Sequence, residues 1–264
     1  AENLIRLGMP CRMVTVLGDD LHAATIREHC RSISLDLTDC GVAPGEKSST
    51  YLCINDVSGD VMTAIADMAV CERITPDFLA SRLDVLNQAA FVILDANIPA
   101  ASAAFLADWC TAPLIADTVS IKKAERLSPC LWKLEAIKPN RPEAEMLTGV
   151  TIRGTDGVED AGKVLLEAGV RHVFISLGSQ GVYYADRSAC GIQPCLPGRI
   201  VNTNGCGDAF LAAAALALYR GMDIAGAALL GQACSSICAE VESAVHPALD
   251  LKTLARRAGI RDLA

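Results

Sequence analysis

The sequence predicts an α/β protein with a mostly parallel sheet covered by helices on both faces, and two observations carry that prediction. Apolar runs of strand length recur at Arg12–Leu17, Ala90–Leu94, Pro113–Ala116, Ala136–Lys138 and His172–Ser176. Helical patterns lie between them, among them Ala100–Trp109 and Val158–Ala168, the latter stopped by Gly169. Continuous apolar strands alternating with helices mark a parallel sheet buried on both faces. At 264 residues the chain is long enough to bury a sizeable core as one domain, 1–264.

The elements follow in order. Ala1–Gly8 reads as an amphipathic helix ended by Gly8. A parallel α/β domain usually starts with a strand, so a segment upstream of Ala1 is expected to be missing or processed. The region 45–68 breaks the alternation: Ser49–Asn55, a turn at Asp56–Asp60 and Val61–Ile65 read as a hairpin. Such an insertion serves as a lid or a dimerisation edge, or is an ordinary edge hairpin. A short strand at Arg199–Val201 is expected to lead into Asn202–Asp208, followed by an apolar helix, Ala209–Tyr219. That helix is only about three turns long, well short of the roughly 20 residues that span a bilayer. It reads as buried, despite a hydrophobic content of 52% and a mean hydropathy of +0.33.

The formal net charge of −8 argues against a nucleic-acid polymer as partner, because phosphate backbones are bound by concentrated Lys and Arg. A small nucleoside needs only a few local polar groups and stays open. None of the twelve cysteines forms a C-x-x-C pair, so the sequence supports neither a zinc site nor a thioredoxin motif. With no signal peptide in the chain, reduced thiols in a cytoplasmic protein are the economical reading, with no membrane as partner.

The chemistry concentrates in Asn202-Thr203-Asn204-Gly205-Cys206-Gly207-Asp208. Gly205 and Gly207 permit a tight turn and close approach of a ligand to the backbone. The N–H groups of the helix start that follows suit an anion. Asp208, in the first helical turn, either stabilises the helix dipole or acts as a general base beside a phosphate-binding hole. No G-x-x-x-x-G-K-[ST] occurs in the chain, and no early G-x-G-x-x-G supports a dinucleotide oxidoreductase. Asn140 and Glu143 lie three apart at a strand-to-helix junction, with Pro142 inside the first turn. They read as a capping pair or as oxygen donors for Mg²⁺. Ser176, Gly178 and Gly181 form a strand–turn–strand. Lys123, in Asp117–Lys123, reads as a solvated lysine or as a group reaching phosphate or substrate.

Together these segments resemble the ribokinase-like (PfkB) carbohydrate and nucleoside kinases. Asn202–Asp208 is similar to the family's D-T-x-G-A-G-D signature, Lys138–Gly149 to its N-x-x-E element, and Ile175–Tyr184 to its nucleotide-binding strand–turn–strand. The resemblance implies a ribokinase-like three-layer α/β/α sandwich with a small β lid, a single kinase domain, and a homodimer formed through that lid. It also implies ATP and Mg²⁺, possible help from a monovalent cation such as K⁺, and a small sugar or nucleoside as acceptor. Residue by residue, it implies Asp208 as base and the N–H groups of Gly205, Cys206 and Gly207 as anion hole. Asn140, Ser176, Gly178, Gly181 and Asn204 would line the nucleotide, and Glu143 with Asn140 the metal. Thr50, Asn97 and Lys123 would meet the acceptor.

Softer tracts (Ser48–Leu52, Ala64–Met68, Asp95–Ile98, Gly231–Ser236 and His246–Leu249) resemble the pseudouridine-kinase branch, implying transfer to that nucleoside's 5′-hydroxyl. Another sugar or nucleoside as acceptor, or a non-catalytic nucleotide-binding homologue, are the alternatives. One position departs from the pattern within the glycine-rich part: Cys206 stands where the family has Ala. A helix N-terminus is expected to lower the Cys206 thiol pKa, making it sensitive to alkylation and protectable by ATP. The family's opening strand and Gly-Gly segment have no counterpart in residues 1–10, so the acceptor side of the site is expected to be incomplete.

Overall fold

The structure is a computed structural model and describes residues 1–55, 61–261 and 263. In chain order its helices and strands are α1 (Glu2–Arg6), β1 (Val16–Leu17), α2 (Leu21–Ser32), β2 (Gly41–Val42), β3 (Thr50–Asn55), β4 (Val61–Asp67), α3 (Pro76–Ala80) and α4 (Leu83–Asn87). Next come β5 (Val92–Asp95), α5 (Ala100–Trp109), β6 (Leu114–Asp117), α6 (Ile121–Ala124), β7 (Leu134–Lys138), α7 (Arg141–Thr148), α8 (Gly154–Glu167) and β8 (His172–Ser176). The chain ends with β9 (Val182–Ala185), β10 (Cys190–Gln193), α9 (Cys206–Tyr219), α10 (Ile224–Cys238) and α11 (Leu251–Ala258).

Contacts group residues 1–73, 196–220 and 229–264 into one compact unit, and residues 74–195 with 221–228 into a second. The second unit holds the main sheet, ordered β10-β9-β8-β7-β6-β5. Neighbours among β5, β6, β7 and β8 pair parallel, while β9 and β10 run antiparallel at one edge. Leu114, Ile115, Ala116, Ile137, Val173, Phe174 and Ile175 are all fully buried, as continuous apolar strands require. The register sets Asp95 opposite Asp117 and Asp117 opposite Lys138, and a parallel bridge joins Asn140 to Ser176. The carboxyl ends of all four parallel strands therefore carry polar residues, where ligands of open α/β sheets bind.

In the first unit the apolar helix read from the sequence is α9, buried from Ala209 through Ala217. The hairpin is present as a separate two-stranded antiparallel sheet, β3 with β4; its turn, 56–60, lies outside the described residues.

Two expectations are corrected. The strand read at Arg12–Leu17 shrinks to Val16–Leu17, paired with Gly41–Val42, and Arg12 makes only an isolated bridge to Asp36. Its partner segment turns away, because the Asp36 carboxylate accepts Thr38 N–H at 2.8 Å. No strand forms at Arg199–Val201. The N–H groups of Val201 and Asn202 donate instead to Ala239 O just past α10, at 2.7 and 3.2 Å, which leaves them no ladder to join.

Candidate functional site

The signature loop belongs to the first unit. Asn202, 8% exposed, accepts Asn204 N–H on its side-chain oxygen at 2.9 Å and donates from Nδ2 to Glu242 O at 2.7 Å. Gly205 then caps α9 at φ 78, and a Cβ there would sit 2.1 Å from Ala244 O. Both the left-handed backbone and the close approach demand glycine. No side chain caps α9, and the Cys206 N–H donates to the backbone oxygen of Thr203 at 3.3 Å. Asp208 lies in that turn and is exposed. Ser235 Oγ donates to Cys206 O at 2.7 Å, tying the loop to α10.

Asn204 points toward the hairpin, its Nδ2 donating to Cys53 Sγ at 3.1 Å. The strand that carries Cys53 also carries Thr50, exposed at its start. The loop therefore meets the strand that Thr50 begins, at a position three residues further along it.

The expectation of a lowered Cys206 thiol pKa is overturned. The thiol is pushed up by its hydrogen bond with Cys238, by burial, and by the Cys238, Cys234 and Asp208 groups around it. An isolated helix start would have stabilised the thiolate; a second thiol and a carboxylate reverse the balance. All twelve cysteines are unbridged.

The second unit carries the other predicted residues. Asn140 caps α7 as a full capping box: Glu143 N–H donates to Asn140 Oδ1 at 3.0 Å, and Asn140 N–H donates to Glu143 Oε2 at 2.8 Å. Asn140 Nδ2 adds a bond to Glu143 Oε1 at 2.9 Å, and Thr118 Oγ1 donates to Oε2 at 2.5 Å. Glu143, only 5% exposed, is thus a buried carboxylate held by three uncharged donors. Hard oxygen donors with uncompensated negative charge suit Mg²⁺, which keeps several of its waters and takes few protein ligands. Among the described residues no cluster of three or more His, Cys, Asp or Glu stands together.

Ser176 ends β8, and its N–H donates to Pro139 O at 2.9 Å, which brings it beside the N-x-x-E segment. Gly178 and Gly181 flank a single tight turn at φ 62 and 97, leading into β9. A Cβ at Gly181 would meet Gln193 O at 2.1 Å, so this glycine serves strand packing whatever it does for a nucleotide. Lys123 Nζ donates to Asn97 Oδ1 at 2.5 Å, joining two predicted acceptor-side residues.

Sequence reasoning missed several neighbours. Lys138, 6% exposed, pairs with Asp117 at 3.3 Å, and Thr118 is completely buried. Both lie in segments already quoted, but their partners stand 20 or more residues away in the chain and only the sheet register brings them together.

The chain matches the pfkB family of carbohydrate kinases over residues 1–251. It is 29% identical over 253 residues to the pseudouridine kinase of Escherichia coli K12, covering 95% of this chain and 81% of that protein. A carbohydrate kinase from Agrobacterium tumefaciens superposes with a TM-score of 0.80 at 25% identity, covering 98% of this chain and 84% of that one. The Arabidopsis thaliana ribokinase complexed with ribose and ATP superposes with a TM-score of 0.86 at 22% identity, covering 99% and 86%. The fold is therefore the ribokinase-like three-layer α/β/α sandwich with a mostly parallel sheet. The chain belongs to the pfkB family of carbohydrate kinases, phosphotransferases that act on the hydroxyl group of a small sugar or nucleoside.

Proposed function

We propose that this kinase transfers the γ-phosphoryl group of ATP to the 5′-hydroxyl of pseudouridine. The observation that carries the catalytic half is the start of α9: a left-handed Gly205 cap, no capping side chain, and Asp208 exposed in the first turn. The relative from Escherichia coli supports the acceptor.

In this reading Asp208 accepts the proton of the attacking hydroxyl. The N–H groups of Gly205, Cys206 and Gly207 hold the transferring phosphoryl oxygens, a preorganised anion hole that needs no reorganisation as charge develops. Asn140 and Glu143 would hold the magnesium ion of the nucleotide. When bound, magnesium neutralises charge on the phosphate oxygens. Ser176, Gly178, Gly181 and Asn204 line the nucleotide, and Thr50, Asn97 and Lys123 orient the acceptor.

The hairpin is the proposed lid and homodimer edge. Tyr51, Leu52, Ile54, Met62 and Ile65 are 54–71% exposed, a concentration of apolar surface that a lone two-stranded sheet has no reason to keep. Leu52→Asp together with Met62→Asp should turn a dimer into a monomer by sedimentation; an unchanged mass would remove the hairpin from the interface.

A purified enzyme offered pseudouridine, uridine, ribose and fructose with ATP, with and without K⁺, tests the acceptor. The highest kcat/KM should belong to pseudouridine. A preference for ribose would move the assignment to the ribokinase activity named for several relatives. ATP binding with turnover of none of these acceptors would support a non-catalytic homologue.

A further inference from the structure

Of the three donors that hold Glu143, two come from Asn140 and are local to the capping box. The third comes from Thr118, 25 residues away at the end of the neighbouring strand, and ties the start of α7 to the sheet. The backbone presenting Thr118 is strained. Val119 sits at φ 62, a region where a β-branched residue is a genuine outlier. Across it Ser120 N–H donates to Thr118 O at 2.6 Å, closing a γ-turn of the rare hand. Asp117 braces the turn, accepting Val119 N–H at 2.8 Å while pairing with Lys138 Nζ at 3.3 Å. Strain of this kind persists only where the surroundings over-determine it, and it clusters at functional sites.

We propose that Thr118 is a positioning residue for phosphoryl transfer: its hydroxyl, aimed by the γ-turn at Val119, fixes the Glu143 carboxylate for binding the magnesium nucleotide. A buried carboxylate that lost this donor would keep only its contacts to Asn140, and its orientation would no longer be tied to β6. The inference rests on the reading of Glu143 given above.

The test compares Thr118→Val, Thr118→Ser and Glu143→Gln in the intact enzyme, by calorimetric binding of ADP with and without Mg²⁺, by kcat and acceptor KM, and by Tm. Outer-shell partners of this type are worth about 10- to 100-fold. Thr118→Val should weaken Mg·ADP binding and lower kcat by about that factor, while ADP alone and the acceptor KM stay within about 3-fold. Thr118→Ser, which keeps the hydroxyl, should restore both. If Thr118→Ser is as impaired as Thr118→Val, or Thr118→Val binds Mg·ADP normally while Glu143→Gln does not, the positioning role is wrong. If Glu143→Gln itself binds Mg·ADP normally, the reading of Glu143 fails first. Val119→Gly gives an arm that does not depend on Thr118→Val folding. Glycine adopts the left-handed turn without strain, so Tm should hold or rise and Mg·ADP binding should stay within about 3-fold; weakened binding would show that the Val119 side chain, not the turn, aims the hydroxyl.

Discussion

At the start of α7 the side chain of Asn140 caps its own helix and is gripped in return by Glu143, whereas at the start of α9 Gly205 has no side chain to offer. The first helix start is satisfied from within and can be rigid before any ligand arrives. The second has no side-chain cap, its Cys206 N–H turning back to Thr203 O at 3.3 Å, and carries a carboxylate within its first turn. A helix start that must receive a transferring phosphoryl group cannot also be closed by its own cap. A helix start that only presents a carboxylate gains from being closed. On the proposed reading the difference separates the start that receives the phosphoryl group from the one that presents a carboxylate.

Four experiments break or sharpen that contrast, the largest effect first. Asp208→Asn should lower kcat by about 10²- to 10⁴-fold while leaving ATP affinity nearly intact; steady-state kinetics and calorimetry read both, and a kcat within a few-fold of wild type removes Asp208 as the base. Gly205→Ala meets Ala244 O and a left-handed backbone together, so it should lower activity and cost about 1–3 kcal/mol in a denaturant melt. Asn140→Ala opens the closed helix start and should cost about 0.5–2 kcal/mol, with a smaller loss of activity than Gly205→Ala.

The smallest effect lies at a third helix start. Asp20 caps α2, accepting Ala23 N–H at 2.9 Å, and Ser48 N–H and Oγ at 2.9 and 2.8 Å. The Ala23 N–H, followed by the Ser48 hydroxyl, holds its carboxyl down to about 2 against an ordinary 3.8. A depressed folded pKa means the contribution is complete above pH 3.8 and is lost as pH falls toward 2. Asp20→Asn should therefore flatten this part of the acid limb of Tm against pH. An acid limb identical to wild type would show that the carboxylate contributes nothing there.

Much of this was legible in the sequence because the signals were local. Gly205, Gly207 and Asp208 announce themselves within four residues, and the Asn140–Glu143 spacing predicts either a cap or an oxygen-donor pair; the structure shows the cap. The buried strands β6 and β8 were equally plain, being short apolar runs with polar ends. What stayed hidden depends on residues distant in the chain. Cys206 looked like a reactive thiol because nothing nearby in sequence reveals Cys238. Arg199–Val201 has the composition of a strand, but its backbone donors are claimed by Ala239. Thr118 reads as one more residue after an apolar run. Only the pairing of β6 with β7 shows that its hydroxyl meets Glu143, and no propensity would place Val119 in a left-handed turn.

The contact between Gly205 and Ala244 O also bears on how such enzymes can be recombined. Position 206 carries a side chain, a thiol hydrogen-bonded to that of Cys238. Position 205 has no room for one, because the obstacle is main chain rather than a side chain that could shrink. The signature loop and the backbone around residue 244 therefore exchange as one block. A chimera that imports the loop while keeping a foreign segment at 244 inherits Asp208, the proposed base, without the backbone that seats its loop.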